Sequence, residues 1–371
     1  FSDGITEDLT TALAKVSALF VIARNSAFVY KGKPVDVKAV SRELGVRYVL
    51  EGSVQRADNR VRITAQLVDG SSAAHVWAES YDRELKDIFA VQDEVRQKIV
   101  LALKVKLMPE EQERFRRAPT DNLEAYDYYL RGAEYHRRFT KESNAQARQM
   151  FEKAIELDSQ YAAAYAALGL TYSQEWAWQW SQDPQTLERA FALAQRAIAL
   201  DDSLSVAHRV LGRVYVWKKQ HDLATTEGER AITLDPNDAD NYVTLSLTLN
   251  LAGRPEEAAR LAEQAMRLDP HYPIQSLNSL GWAYLLLRRY EEAITVLKKA
   301  LPLNLDFMPN HYFLAVSYSE LDRQEEARTE VAAVLRINPN FSLEVLRQRL
   351  PYKDPAVLER ITAALRKAGL Q

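Results

Sequence analysis

Residues 231–236 read Ala231-Ile232-Thr233-Leu234-Asp235-Pro236, and the phrase returns along the chain at a nearly fixed interval. Upstream it is Ala154-Ile-Glu-Leu-Asp158 and Ala197-Ile-Ala-Leu-Asp201. Downstream it becomes Ala265-Met-Arg-Leu-Asp-Pro270, Ala300-Leu-Pro-Leu-Asn304 and Val334-Leu-Arg-Ile-Asn-Pro339. Successive steps are 43, 34, 34, 35 and 34 residues. A unit of that length holds two helices and a turn, and it cannot bury its apolar face alone. The period therefore predicts that residues 119–341 form six helix–turn–helix repeats, stacked as an all-α solenoid with a concave surface.

The residue types inside the period support this reading. Small residues recur twelve apart, as Gly212/Ala224, Ser246/Ala258, Gly281/Ala293 and Ala315/Ala327, where the two helices of a repeat must cross closely. Leu211, Leu245, Leu280 and Leu314 fill the space beside them, and Tyr215, Tyr284 and Tyr318 bring aromatic area to the seam. Pro236, Pro270 and Pro339 interrupt the helical ladder between repeats, and Gly253 suits a left-handed helix end. Together these residues resemble the tetratricopeptide family. Two departures stand out. Residues 140–144 read as a long loop inside the first repeat, and the second repeat is nine residues longer than the period around Glu175-Trp-Ala-Trp-Gln-Trp180. Trp176, Trp178 and Trp180 fit either an exposed interaction patch or an extended first helix whose indoles cover a neighbour. Residues 342–371 predict two capping helices, the second with Asp354 as N-cap, Pro355 in its first turn and Gly369 as its stop.

Residues 1–118 follow a different rhythm. Helices are expected at 6–16, capped by Thr6, and at 36–44, with Asp36 as N-cap and Gly45 as the stop; residues 19–23 read as a short buried strand. Three strands in hairpin spacing follow at 46–56, 60–68 and 74–81, and a long amphipathic helix at 87–107. The order is α-β-α-β-β-β-α. The phrases Phe1-Ser-Asp-Gly-Ile-Thr-Glu-Asp-Leu9, Val21-Ile-Ala-Arg-Asn-Ser26, Glu43-Leu-Gly-Val-Arg-Tyr-Val-Leu-Glu-Gly-Ser53 and Asp87-Ile-Phe-Ala-Val-Gln-Asp93 resemble a TolB-like amino-terminal domain of the kind placed before tetratricopeptide arrays in bacterial signalling proteins. In that family a strand precedes the first phrase, so the resemblance implies a sheet lacking its first strand, unless that strand is supplied in cis or in trans. It also implies a setting carboxy-terminal to a class III nucleotide (adenylate/guanylate) cyclase domain, a winged-helix transcription-factor domain or a protein kinase. The closing Leu365-Arg-Lys-Ala-Gly-Leu370 is most similar to the cyclase-linked version.

Composition limits the chemistry. The 371 residues carry 48 Lys and Arg against 51 Asp and Glu, a net charge of −3, with no basic block to neutralise phosphates, so no nucleic-acid partner is expected. There is no cysteine, which excludes disulfides, thiol nucleophiles and Cys-ligated metal. The longest uncharged run, residues 159–174, is too short and too polar to span a bilayer. The chain opens on Phe1 without a signal-peptide pattern, and it reads as a piece of a longer protein. The Phe1-Ser-Asp3 phrase echoes the metal strand of nucleotide cyclases, but Asp3 and Thr6 serve better as helix caps. Gly32-Lys-Pro lacks the rest of a phosphate loop, and His75, His136, His208, His221, His271 and His311 share no ligand spacing. Acidic pairs such as Glu256-Glu257, Glu291-Glu292 and Glu325-Glu326 recur where a helix N-terminus favours them. No catalytic set, metal site or cofactor is expected, and the chain reads as not an enzyme.

What the resemblance implies is a groove lined by first-helix positions. Reading those off places Tyr129 and His136 in repeat 1, Arg209 and Arg213 in repeat 3, Asn250 in repeat 4, Asn278 and Trp282 in repeat 5, and Tyr312 and Ser319 in repeat 6. The arginines suit a carboxylate, the asparagines a peptide backbone, and Trp282 and Tyr312 apolar anchors; internal salt bridges in a hydrated groove are the competing reading. The expected function is non-catalytic: a solenoid that binds a peptide or partner domain in bacterial signalling. The alternatives are the regulatory tail of a nucleotide cyclase whose catalytic domain lies upstream of Phe1, the sensor region of a winged-helix activator, and a homo-oligomeric scaffold. A cytoplasmic location follows from the cyclase-like resemblance, and a periplasmic one from the activator.

Overall fold

The computed structural model describes residues 2–116, 120–181 and 183–371; Phe1 of the opening phrase, Ala118 at the expected domain boundary and Gln182 of the long repeat lie outside them. Helix α1 (Ser2–Ala14) starts earlier than the sequence predicts. Thr6 is inside it, its carbonyl accepting from the Thr10 hydroxyl, and Asp3 in the first turn pairs with Lys31 at 2.6 Å rather than capping. Ile5, Leu9, Ala12 and Leu13 are buried along one face.

Residues 19–23, expected as a strand, are extended but join no sheet. Their donors go elsewhere: the Val21 amide to Asn237 Oδ1 at 3.2 Å and the Ala23 amide to the Leu268 carbonyl at 2.8 Å. A short helix the sequence did not announce, α2 (Arg24–Phe28), follows. Helix α3 (Val37–Leu44) forms as expected, with Asp36 accepting from the Lys38 amide and Gly45 at φ 67° closing the end.

Strands β1 (Tyr48–Ala57), β2 (Arg60–Asp69) and β3 (Ala74–Glu84) make an antiparallel sheet in the order β1-β2-β3. The two-residue turn pairs Ala57 with Arg60, with Asp58 at φ 49°, and a register shift between Leu67 and Val68 bends β2 against β3. Val61, Ile63, Ala65 and Leu67 are buried, while Arg60 and Arg62 on the wet face both reach Asp82. The buried face packs with α1 and with Val91, Val95 and Ile99 of α4 (Ile88–Ala102). The long helix expected to reach 107 stops at Ala102. Lys104 takes φ 55° and the Val105 amide turns back to the Val100 carbonyl at 3.1 Å, which reverses the chain before α5 (Pro109–Arg116).

The repeat region consists of six helix pairs: α6 (Leu123–Arg137) with α7 (Lys141–Leu157), α8 (Ala162–Ala177) with α9 (Thr186–Leu200), and α10 (Ser205–Trp217) with α11 (His221–Leu234). They continue as α12 (Ala239–Leu251) with α13 (Pro255–Leu268), α14 (Ile274–Leu286) with α15 (Tyr290–Ala300), and α16 (Met308–Glu320) with α17 (Gln324–Ile337). The long loop expected at 140–144 is absent, because Thr140 caps α7 and Ser143 returns the bond to the Thr140 backbone. Capping helices α18 (Leu343–Arg349) and α19 (Pro355–Lys367) follow, with Ser342 and Asp354 as caps and Gly369 at φ 100°.

Two compact units result. One runs to Val210 and also takes in Ala231–Asp238 and Leu268–Pro270; the other comprises Leu211–Arg230, Ala239–Arg267 and His271–Gln371. In the first, the turn residues of the repeated phrase hold the amino-terminal segment. Asn237 Nδ2 donates to the Ala14 carbonyl at 2.9 Å, and the Ser26 hydroxyl donates to Asp269 Oδ1 at 2.5 Å. In the second, close helix crossings are visible atom by atom: the Ser246 hydroxyl donates to the Ala258 carbonyl at 2.7 Å. Its core joins Trp282, Tyr312, Phe313, Phe341 and Tyr352 with the aliphatic face of α19.

Candidate functional site

The polar residues chosen for a groove are mostly buried and already partnered. In the second unit Asn250 on α12 donates to the Ser279 carbonyl at 3.1 Å, and Asn278 on α14 donates to Asn310 Oδ1 at 2.8 Å. Ser319 on α16 donates to the Ala364 carbonyl of α19 at 2.9 Å. These side chains tie each first helix to the next element instead of presenting their donors to solvent. Trp282 stacks on Phe313 at 5.1 Å between centroids and donates its indole hydrogen to the Tyr352 hydroxyl at 2.8 Å. Tyr312 is stacked on Phe341, and burial pushes its phenol pKa up. Arg213, on α10, is half-buried.

Trp282 thus meets an aromatic side chain from a distant part of the same chain. Residues 350–354 connect α18 to α19 and lie over these first helices. The Tyr352 ring meets Trp282 edge-on at 5.8 Å, the Lys353 amide donates to the Leu251 carbonyl at 2.9 Å, and the Lys353 ammonium pairs with Asp222 at 2.9 Å. Neither the repeat period nor the family resemblance pointed to Tyr352 or Lys353. The signal was there in the break Leu350-Pro351 between two capped helices, which forces an extended stretch of chain.

In the first unit Arg209 is neutralised by Asp238 at 2.9 Å, so the arginine meant for a ligand carboxylate is spent on an internal one. Tyr129 is half-buried, its ring tilted between Phe151 and Tyr161 at 5.7 and 5.2 Å, and His136 is half-buried at the end of α6. Trp176, Trp178 and Trp180 are half-buried too, and the rings of Trp178 and Trp180 meet Phe139 of the preceding repeat edge-on at 5.5 and 6.0 Å. Glu175 beside them is anchored by Arg148 at 2.9 Å.

The same unit also encloses the carboxyl group of a half-buried residue of α1. Asp8 on α1 accepts from Gln92 Nε2 at 3.3 Å and from the Tyr126 hydroxyl. Burial, with Glu7 adding to it, raises its pKa to about 7 against the opposing pull of Arg96. Its neighbours make it a hub between α1, α4 and α6. Among the described residues no group of three or more His, Asp and Glu is placed to hold a metal ion. Among the same residues no helix is long and apolar enough to cross a membrane.

Comparison with known proteins agrees with this architecture. Residues 238–306 match the model of the Tetratricopeptide repeat family, so the chain carries tetratricopeptide repeats. Over 225 residues, 60% of this chain, it is 50% identical to "Putative adenylate cyclase 3" of Rhizobium meliloti (strain 1021), of which it covers 38%. It is also 24% identical over 194 residues to Superkiller protein 3 of Schizosaccharomyces pombe (strain 972 / ATCC 24843), covering 50% of this chain and 13% of that protein. The chain thus spans well under half the length of these relatives. Among solved structures, the APC/C hetero-tetramer Cut9-Hcn1 aligns with a TM-score of 0.50 at 17% identity, covering 77% of this chain and 54% of that one. That likeness shows the fold alone.

Proposed function

We propose that the chain is a non-catalytic regulatory region that binds a protein or peptide partner in bacterial signalling, and that it acts as the regulatory tail of a nucleotide cyclase. The observation that carries this reading is the 50% identity over 225 residues to a protein whose name is that of an adenylate cyclase. The repeats support the partner-binding half, since stacked helix pairs of this kind expose extended surfaces suited to polypeptides. In this reading residues 1–118 are a TolB-like domain, 119–341 the six repeats and 342–371 the cap, and the protein works in the cytoplasm. The upstream domain is the effector and these residues adjust it. The test is cyclic-nucleotide production by the full-length protein with and without residues 119–371. Deletion is expected to change the rate severalfold while this chain alone turns over no nucleotide. Turnover by the isolated chain, or a rate indifferent to the deletion, ends the proposal.

A further inference from the structure

Residues 349–354 leave α18 and cross the first helices of the second unit in reverse chain order. Arg349 lies within electrostatic range of Tyr312 on α16. Tyr352 takes the indole hydrogen of Trp282 on α14. The Lys353 amide satisfies the Leu251 carbonyl at the end of α12, and its ammonium reaches Asp222 in the first turn of α11. An aromatic anchor, a main-chain hydrogen bond and an ion pair, set on successive elements, are how a helical groove holds an extended peptide.

The fit is incomplete on both sides. A cleft of about 370 Å³ lies on one side, where Asn250, Gly253 and Leu286 face Tyr352 and Lys353. A second, of about 410 Å³, lies between the same two residues and Gln220, His221 and Asp222. Each cleft is lined by a residue with a buried polar atom that has no partner among the described residues, Asn250 Oδ1 in the first and His221 Nδ1 in the second. Asn250 is 1% exposed and His221 6%.

We propose that the first-helix face formed by α12, α14 and α16 is a peptide-binding face held shut by the chain's own Tyr352-Lys353 segment, and that its partner is an extended polypeptide carrying an aromatic residue followed by a basic one. This rests on the partner-binding reading above and specifies the face, the ligand class and its control. Because the segment must leave first, the apparent affinity for a partner is lowered by the fraction of molecules in which it is released.

The probe is a labelled synthetic peptide with the sequence of residues 347–356, titrated by fluorescence anisotropy into the full chain and into its Tyr352→Ala and Lys353→Glu variants. Both variants are expected to bind it about tenfold more tightly than the unaltered chain, as release of an internal competitor requires. Exchanging Tyr and Lys in the peptide for Ala and Glu abolishes binding. In the Tyr352→Ala chain, Asp222→Lys removes the acidic partner of the peptide's Lys and weakens its binding; the side chain is 94% exposed. Release is also visible by NMR at His221, whose pKa is held down by burial and then by the Lys353 charge and rises when both leave. Should Tyr352→Ala fail to fold, Lys353→Glu carries the test, its side chain being 53% exposed. Folded variants that bind the peptide no better than the unaltered chain overturn the inference, as does binding indifferent to the Tyr-Lys pair. Either result leaves the cyclase reading to its own deletion experiment.

Discussion

His311 shows how a single side chain can couple this fold to pH. Its Nδ1 meets Glu330 at 2.6 Å and its Nε2 meets the Leu305 carbonyl at 2.8 Å, and both neighbours are acceptors. Only the imidazolium has two donors to give them, so the Glu330 hydrogen bond raises its pKa above the ordinary 6.5 against the cost of burial. A raised folded pKa means the stabilisation is fully present below pH 6.5 and is lost as pH climbs through the folded value. His311→Gln keeps one hydrogen bond and removes the titration. It should lower the melting temperature in acid, with the difference shrinking as pH rises through the folded pKa. A thermal melt series from pH 5 to 9 checks this; a constant difference across the series would show that the imidazolium is not the stabilising form.

At the scale of elements, caps and turns decide where helices begin, and here the sequence is legible only when the residue type is unambiguous. Asp36, Asp354 and Gly45 were read correctly because each has one strong local role. The start of α7 was misread. Its capping pair is Thr140 with Ser143, in which serine does the work usually given to glutamate, and the stretch looked like a loop. Thr140→Ala removes the side-chain half of that exchange, leaving the Thr140 amide bonded to Ser143, and should cost about 1 kcal/mol, read as a lower melting temperature and faster amide exchange in the first turn of α7. The end of α4 was also missed. Lys104 enters the left-handed region without glycine, so nothing in the residue types announced the stop. The strand assigned to residues 19–23 failed for another reason: its apolar run is real, but its amides are claimed by Asn237 and Leu268 before any strand could pair with it.

At the scale of the whole molecule, the repeated Leu-Asp-Pro phrase has a second use. Asp235 is deeply buried and its pKa is raised to about 7, chiefly by burial and then by Asp238. Asp269 receives Ser26 and Asn25, and Asn237 receives Val21 while donating to Ala14 and Val16. The turns that separate repeats are thus the anchors of the first unit's amino-terminal segment. Asn237→Ala removes three of these bonds at once, and hydrogen exchange should accelerate at least tenfold at the Val21 amide and its neighbours while the α14–α17 amides keep their protection. Equal acceleration everywhere would mean the substitution had loosened the repeats themselves.

The amino-acid sequence alone determined the six-repeat architecture, the three-stranded sheet and the caps at Asp36 and Asp354, because period, alternation and capping are local properties that each residue expresses with its neighbours in the chain. What meets the Trp282 indole was decided by the tertiary structure. Tyr352 lies 70 residues from Trp282, and their hydrogen bond depends on stacked helices bringing distant segments together, a relation no repeat period encodes. The same holds for Asn250, Asn278 and Ser319: their type suggested a wet groove, but the close approach of successive elements turns their donors to the Ser279 carbonyl, the Asn310 side chain and the Ala364 carbonyl.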